Sequence, residues 1–212
     1  MSAKKSNTKQ IILDEALTLF SQKGYANVFV GEIAEKVGIK APSLYKHFKS
    51  KQEIFDGIIE EMNRHFQEAA VALGIDGASA QADGKTYTKI SEEDSIKIGV
   101  GLFQYFLHDE YNQKIRKMLT IEQFHDKKLA ALYTKQYIDD PLSYQGIMMG
   151  MMAASGVFKT DDVSIMTLQF YGPIYLLLTL CDREPEREAE AIKTLKAHVK
   201  QFNKLYSGGK LK

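Results

Sequence analysis

Apolar positions recur along most of the chain at intervals of three and four, the repeat of an α-helix, and no convincing strand-like alternation interrupts them. From Thr8 to Lys23, the residues Ile11, Ile12, Ala16, Leu17 and Phe20 fall at helical spacing, and Gly24-Tyr25 supplies a stop. Ile33, Ala34 and Val37 then put apolar groups on one face of a second, short helix. Gly38 follows, where a helix commonly ends in a left-handed residue that Gly adopts at least cost. Ile39 closes the turn and Ala41-Pro42 opens a third helix. Proline disfavours helical geometry in the residue before it, and at the start of a helix its missing N–H would have had no partner. Leu44 and Phe48 face inward, which leaves Ser43, Tyr45, Lys46 and His47 on the outer surface.

Further along, Ser50 is placed to cap a longer helix with Glu53 as its partner three residues on, and the pattern carries this helix from Gln52 to Leu73. Gly74 to Gly84 is rich in Gly, Ala and small polar residues and reads as a flexible loop. Ser91-Glu-Glu-Asp94 supplies a hydroxyl cap and an acidic first turn, and helices are expected at about 91–107, 110–123, 126–138, 141–157, 161–182 and 185–206. Asp161-Asp162 and Pro185 mark the starts of the last two.

Two short helices around a tight turn, the second presenting polar and basic side chains, form a device that reads DNA from the major groove. Charge supports this. Residues 1–51 hold nine Lys against Asp14, Glu15, Glu32 and Glu35, a net of +5, while the whole chain is +1. The asymmetry confines a phosphate-facing surface to one end. The ordered pattern of helix, K-G-Y, helix and G-I-K-A-P-S-L-Y-K-H-F-K-S-K resembles the TetR family of transcriptional regulators over residues 8–60.

The resemblance implies an all-α protein, with an N-terminal three-helix helix-turn-helix domain at 1–51 and a helical effector-binding and dimerisation domain at 52–212, of which 52–73 is the connecting helix. It assigns Lys40, Ala41, Pro42, Ser43, Tyr45 and Lys46 to the turn and recognition helix, which contact base edges and phosphates. Tyr45, His47 and Lys51 match positions that touch the DNA backbone. Val28, Phe29 and Gly31 depart from the family, which more often has Thr, Ser or Thr, and Arg there, so a hydroxyl cap and a phosphate contact are missing. Those departures keep open an alternative, a helical module that has lost DNA recognition and docks another protein.

The final two helices read as a dimer interface. Ile192, Leu195, Val199, Phe202 and Tyr206 recur at spacings of 3, 4, 3 and 4, the seam of helix-on-helix packing. In the helix before, Val163, Met166, Phe170, Ile174 and Leu177 form one stripe, and Leu168, Tyr171, Tyr175 and Leu178 a second. A helix apolar on two sides needs two partners, its own domain and a second copy of the chain. Pro141–Phe158 and Val163–Cys181 are uncharged for 18 and 19 residues, long enough to raise a membrane span. Their Ser, Thr and Gln residues and the Gly172-Pro173 kink argue against insertion.

Catalysis finds little support: the five His are scattered, no Cys pair or metal-ligand spacing occurs, and no cofactor is implied. Asp139-Asp140 before Pro141 reads as a helix cap. One Cys excludes an internal disulfide, and with no signal peptide in view the expected location is cytoplasmic. Large side chains on several helices, including Phe103, Phe106, Tyr137, Met148, Met152, Tyr171 and Tyr175, could line a cavity for an apolar or aromatic effector. The resemblance implies such a pocket. The expected whole is a homodimeric regulator, acting as a repressor, that binds a near-palindromic duplex operator and is released by a small effector.

Overall fold

The computed structural model describes residues 2–89, 91–159 and 161–207, with side chains from Thr8 onward. Among them the chain forms eleven α-helices: α1 (Ser2–Lys23), α2 (Val30–Val37), α3 (Ala41–Leu44), α4 (Lys51–Ala72), α5 (Ala80–Tyr87), α6 (Glu92–His108), α7 (Glu110–Glu122), α8 (Lys127–Thr134), α9 (Asp140–Ala154), α10 (Val163–Cys181) and α11 (Glu188–Tyr206). The sole β pairing among the described residues is an isolated bridge between Phe158 and Ser207. The chain divides into two compact units. The first comprises the described residues up to His65 together with Asp109–Tyr133, and the second the described remainder.

In the first unit α1 is the central rod. Ile12, Ala16, Leu17 and Phe20 are fully buried as their spacing requires, but Leu13 and Leu19 are buried too while Ile11 is exposed. The stripe is wider because α1 is covered by α2 on one side and by α7 on another. Phe20, Tyr25 and Phe55 pack ring against ring, with centroids 5.1 Å apart for Phe20–Tyr25 and 5.2 Å for Tyr25–Phe55. On α7, Ile115, Met118 and Leu119 are completely buried, and Asp109 caps its first turn by accepting from Asn112 N at 2.8 Å. Tyr111 reaches α1, where its hydroxyl donates to Asp14 and accepts from Gln10 at 2.7 Å.

In the second unit α9 packs on α5 and α10, and α11 packs on α10 and α6. The expected loop at 74–84 is instead a turn followed by α5. Ile75 is buried with Ala70 and Ile98. Asp83, itself buried, accepts from Asp76 N at 2.7 Å, Gly77 N at 2.9 Å and the Tyr144 hydroxyl. Composition could not reveal this, because a buried Asp is improbable until its three donors are known. Burial and the adjacent Asp83 carboxylate raise the Tyr144 pKa above the ordinary phenol value.

Nor does Asp139-Asp140 cap a helix. The backbone continues from α8 through a π-helical turn, Lys135–Asp139, into α9, and Asp140 pairs with Lys135 Nζ at 2.5 Å. Pro141 explains the irregularity. It has no N–H to give to the carbonyl of Tyr137, four residues back, and the Tyr171 hydroxyl donates to that oxygen at 2.8 Å. Pro173 inside α10 likewise has no N–H for the carbonyl of Gln169, and at the next residue His198 Nε2 lies 2.9 Å from Phe170 O and so carries its proton there.

Candidate nucleic-acid interface

The reading head is built from caps more than from helix length. Gly38 ends α2 at φ 75° and ψ 28°, and the chain turns there as Gly38 N donates to Glu35 O and Ile39 N to Ala34 O. Lys40 is extended, so its carbonyl can receive Ser43 N at 2.8 Å and Leu44 N at 3.3 Å, which starts α3. Only Ala41–Leu44 is regular α-helix. Lys46 N to Ser43 O and His47 N to Leu44 O prolong it as tighter turns, and Phe48 N to Leu44 O adds a single α-type bond. Leu44 and Phe48 are buried beneath, and Lys9 Nζ lies 5.1 Å from the Phe48 ring centre.

Above that anchor, Lys40, Pro42, Tyr45 and Lys46 are exposed, while Ala41, Ser43 and His47 are half-buried. Tyr45 keeps 52% of its surface open. These residues therefore share one short, well-anchored segment. Lys51 does something else. Its ammonium donates to Tyr25 O at 2.8 Å and Val28 O at 2.9 Å, reaches Ala26 O at 3.5 Å, and lies 4.4 Å from the Tyr25 ring centre. Burial lowers its pKa, opposed by the charge of Glu122. The side chain thus clamps the link between α1 and α2 to the start of α4.

The α4 cap is shifted by one residue from the expected box. Ser50 Oγ accepts from Glu53 N at 3.1 Å, but Glu53 Oε2 accepts from Lys49 N at 2.5 Å rather than from Ser50. At the start of α2 only half a box exists: Glu32 Oε1 accepts from Phe29 N at 3.3 Å, and Phe29 has no side-chain acceptor to return. Lys23 Nζ pairs with Glu32 at 2.5 Å and, with the Phe29 N–H, lowers the Glu32 pKa. Spacing also gave no sign of Glu122, a buried carboxylate on α7 that fills the space beside Gly24, where φ is 82°. Gly24 therefore serves both a left-handed turn and a close approach.

The proposed interface stripe requires correction. Met166, Leu195, Val199 and Phe202 are buried within the second unit, and Phe170, Ile174 and Ile192 pack against the same cores. They face the chain's own helices because α11 is the cover of α6 and α10. The free face of α10 lies elsewhere, on Ile165, Leu168 and Leu176, the last two 56% and 66% exposed. By length and composition α10 could cross a membrane, yet Met166, Thr167, Leu177, Leu178 and Cys181 are buried against other helices of its unit.

The candidate effector residues do not form a single group. Phe103 belongs to a core with Leu107, Leu177 and Leu195, and Phe106 packs against that core while stacking on Phe66 at 5.8 Å. Met152 sits in a second core with Met149, Val157 and Met166. Met148 is also buried. Tyr137, Tyr171 and Tyr175 do come together, through the Tyr171 hydroxyl on Tyr137 O and ring centres 6.2 Å apart for Tyr171–Tyr175.

A small helical head with an exposed basic recognition turn, joined to a larger helical unit, defines a helix-turn-helix regulator. Residues 12–58 match the family model for bacterial regulatory proteins of the tetR family. The IcaR negative regulator of the Staphylococcus epidermidis icaADBC biofilm operon is 41% identical over 58 residues, which is 27% of this chain and 31% of that protein. AcrR of Shigella flexneri is 47% identical over 53 residues, 25% of each. The matched segment thus spans about a third or less of these curated relatives. SmeT, the repressor of the Stenotrophomonas maltophilia multidrug efflux pump SmeDEF, shares the fold with a TM-score of 0.64 at 18% identity over 96% of this chain and 92% of that one. SmeT in complex with triclosan gives 0.68 at 18% over 97% and 94%. Residues 12–58 thus match the DNA-reading domain of the tetR family, and the chain shares the fold of SmeT over nearly its whole length.

Proposed function

We propose that the protein is a homodimeric repressor that binds a near-palindromic DNA operator through α2 and α3 and is released by a small, largely apolar effector. The observation that carries this reading is the exposed row Lys40, Pro42, Tyr45 and Lys46 over the buried Leu44 and Phe48. One such segment reads few bases, so two copies related by a two-fold axis are required for specificity. The apolar face of α10 at Ile165, Leu168 and Leu176 supports the pairing surface. The Tyr137, Tyr171 and Tyr175 group supports a site for an aromatic effector, and the likeness to triclosan-bound SmeT is consistent with that class. No catalytic step belongs to this reading, and its place of action is the cytoplasm.

Fluorescence anisotropy with duplexes from upstream of the protein's own gene, titrated at several salt concentrations, tests it. A preferred duplex should bind with a steep salt dependence, two copies per site. Equal affinity for random DNA would reduce the reading to nonspecific attraction. Sedimentation should find a dimer at micromolar concentration, and Leu168→Glu or Leu176→Glu should give folded monomers. A dimer intact in both would move the interface elsewhere.

A further inference from the structure

Phe29 stands at the N-cap of α2, where Ser, Thr, Asp or Asn is favoured because its oxygen would accept from the first turn. The phenyl ring offers no acceptor, so it gives up that bond. Burial does not explain the choice, since the ring is 70% exposed. The neighbouring Val28 is completely buried and supplies the packing at this point. A residue that contradicts the local capping rule and gains no packing by doing so marks a functional position.

The backbone around it is held firmly. Val28 O is gripped by Lys51 Nζ, and Phe29 N donates to Glu32 Oε1. Gly31, two residues on, has open space where a side chain would stand. The ring therefore projects alone from a fixed helix start on the same head as Tyr45 and Lys46. In a helix-turn-helix the second helix enters the major groove while the first crosses the sugar–phosphate backbone, which sets the start of α2 against the strand.

We infer that Phe29 is an uncharged DNA contact, laying its ring on apolar C–H groups of the duplex, either deoxyribose carbons or a thymine methyl. It cannot bond a phosphate, so it adds affinity without displacing counterions. The inference rests on the proposed DNA-reading function.

The test uses the full chain and the preferred duplex in a salt titration. Phe29→Ala should weaken specific binding by roughly fivefold to tenfold, from the apolar area left exposed. The slope of affinity against salt should not change, and neither should the melting temperature. Phe29→Leu should recover most of the affinity. Replacing thymine by uracil in the duplex assigns the contact: if the Phe29→Ala effect disappears the partner is the methyl group, and if it persists the partner is deoxyribose. Wild type that prefers no duplex overturns the DNA-reading function and this inference together. Specific wild-type binding with Phe29→Ala equal to it overturns this inference alone, as does a loss of affinity matched by a fall in melting temperature.

Discussion

The reading head and the α9–α10–α11 unit are both helical, yet they are held together by different means. α3 is four residues long, far below the length at which a helix persists by itself, and it exists because Gly38 turns the chain, Lys40 O collects two N–H groups and Leu44 anchors it. α10 is nineteen residues long with no charged side chain, and its position is set by which neighbours cover which stripe. Punctuating residues specify the first kind of structure locally. Partners specify the second, so one substitution has different consequences on different faces of the same helix.

The sharpest way to break this contrast is to place a charge in α11. Leu195 is 1% exposed in the core of the second unit, so Leu195→Glu should cost on the order of 4–5 kcal/mol or more and abolish the cooperative thermal transition followed by circular dichroism. Leu168→Glu, on the free face of α10, should leave the melting of the monomer nearly unchanged. A folded, monomeric Leu195→Glu protein would show that this seam faces outward after all.

Next in size is Asp83→Ala. It leaves the N–H groups of Asp76 and Gly77 and the Tyr144 hydroxyl without their acceptor, so a loss of about 2–4 kcal/mol is expected by denaturant unfolding. Hydrogen exchange should locate the loosening at residues 74–84. Unchanged protection there would mean that Asp83 is a passenger.

In the head, Lys51→Met should lower stability by about 1.5–3 kcal/mol, because the carbonyls of Tyr25 and Val28 lose a charged donor. If the role is the clamp, the salt slope of DNA binding by the folded variant stays close to that of wild type. Lys46→Ala is its counterpart on the exposed side: stability should hold, while the slope falls by about one unit. A reversal of these two results would exchange their roles.

Such pairs explain what the chain disclosed and what it withheld. Gly38, Pro42, Leu44 and Phe48 were legible because each acts within a few residues of itself, through φ, a missing N–H or the next turn. The cap of α10 by Asp162 on Ser164 N and Ile165 N was legible for the same reason. Lys51 was not, since its acceptors lie 23 to 26 residues away and spacing cannot distinguish a carbonyl from a phosphate. The two stripes of α10 were visible as stripes, but which one meets α11 depends on the packing of both. The place of Asp83 and the division of the effector candidates among separate groups were hidden likewise: their surroundings come from α4, α6, α9 and α10, which no single stretch of sequence shows together.

The smallest predicted effect tests the repair at Pro141. Tyr171→Phe removes one hydroxyl, and because the Tyr137 carbonyl then loses the donor that replaces the missing proline N–H, about 1 kcal/mol should be lost. The size alone would not identify the cause, but a second substitution does. Pro141→Ala restores an N–H four residues from that carbonyl, and in this background Tyr171→Phe should cost close to nothing. The coupling energy from the four unfolding curves should therefore approach the whole single-variant effect. Additive losses would mean that the hydroxyl serves another group, and the π-helical turn at Lys135–Asp139 would then need a cause other than the proline.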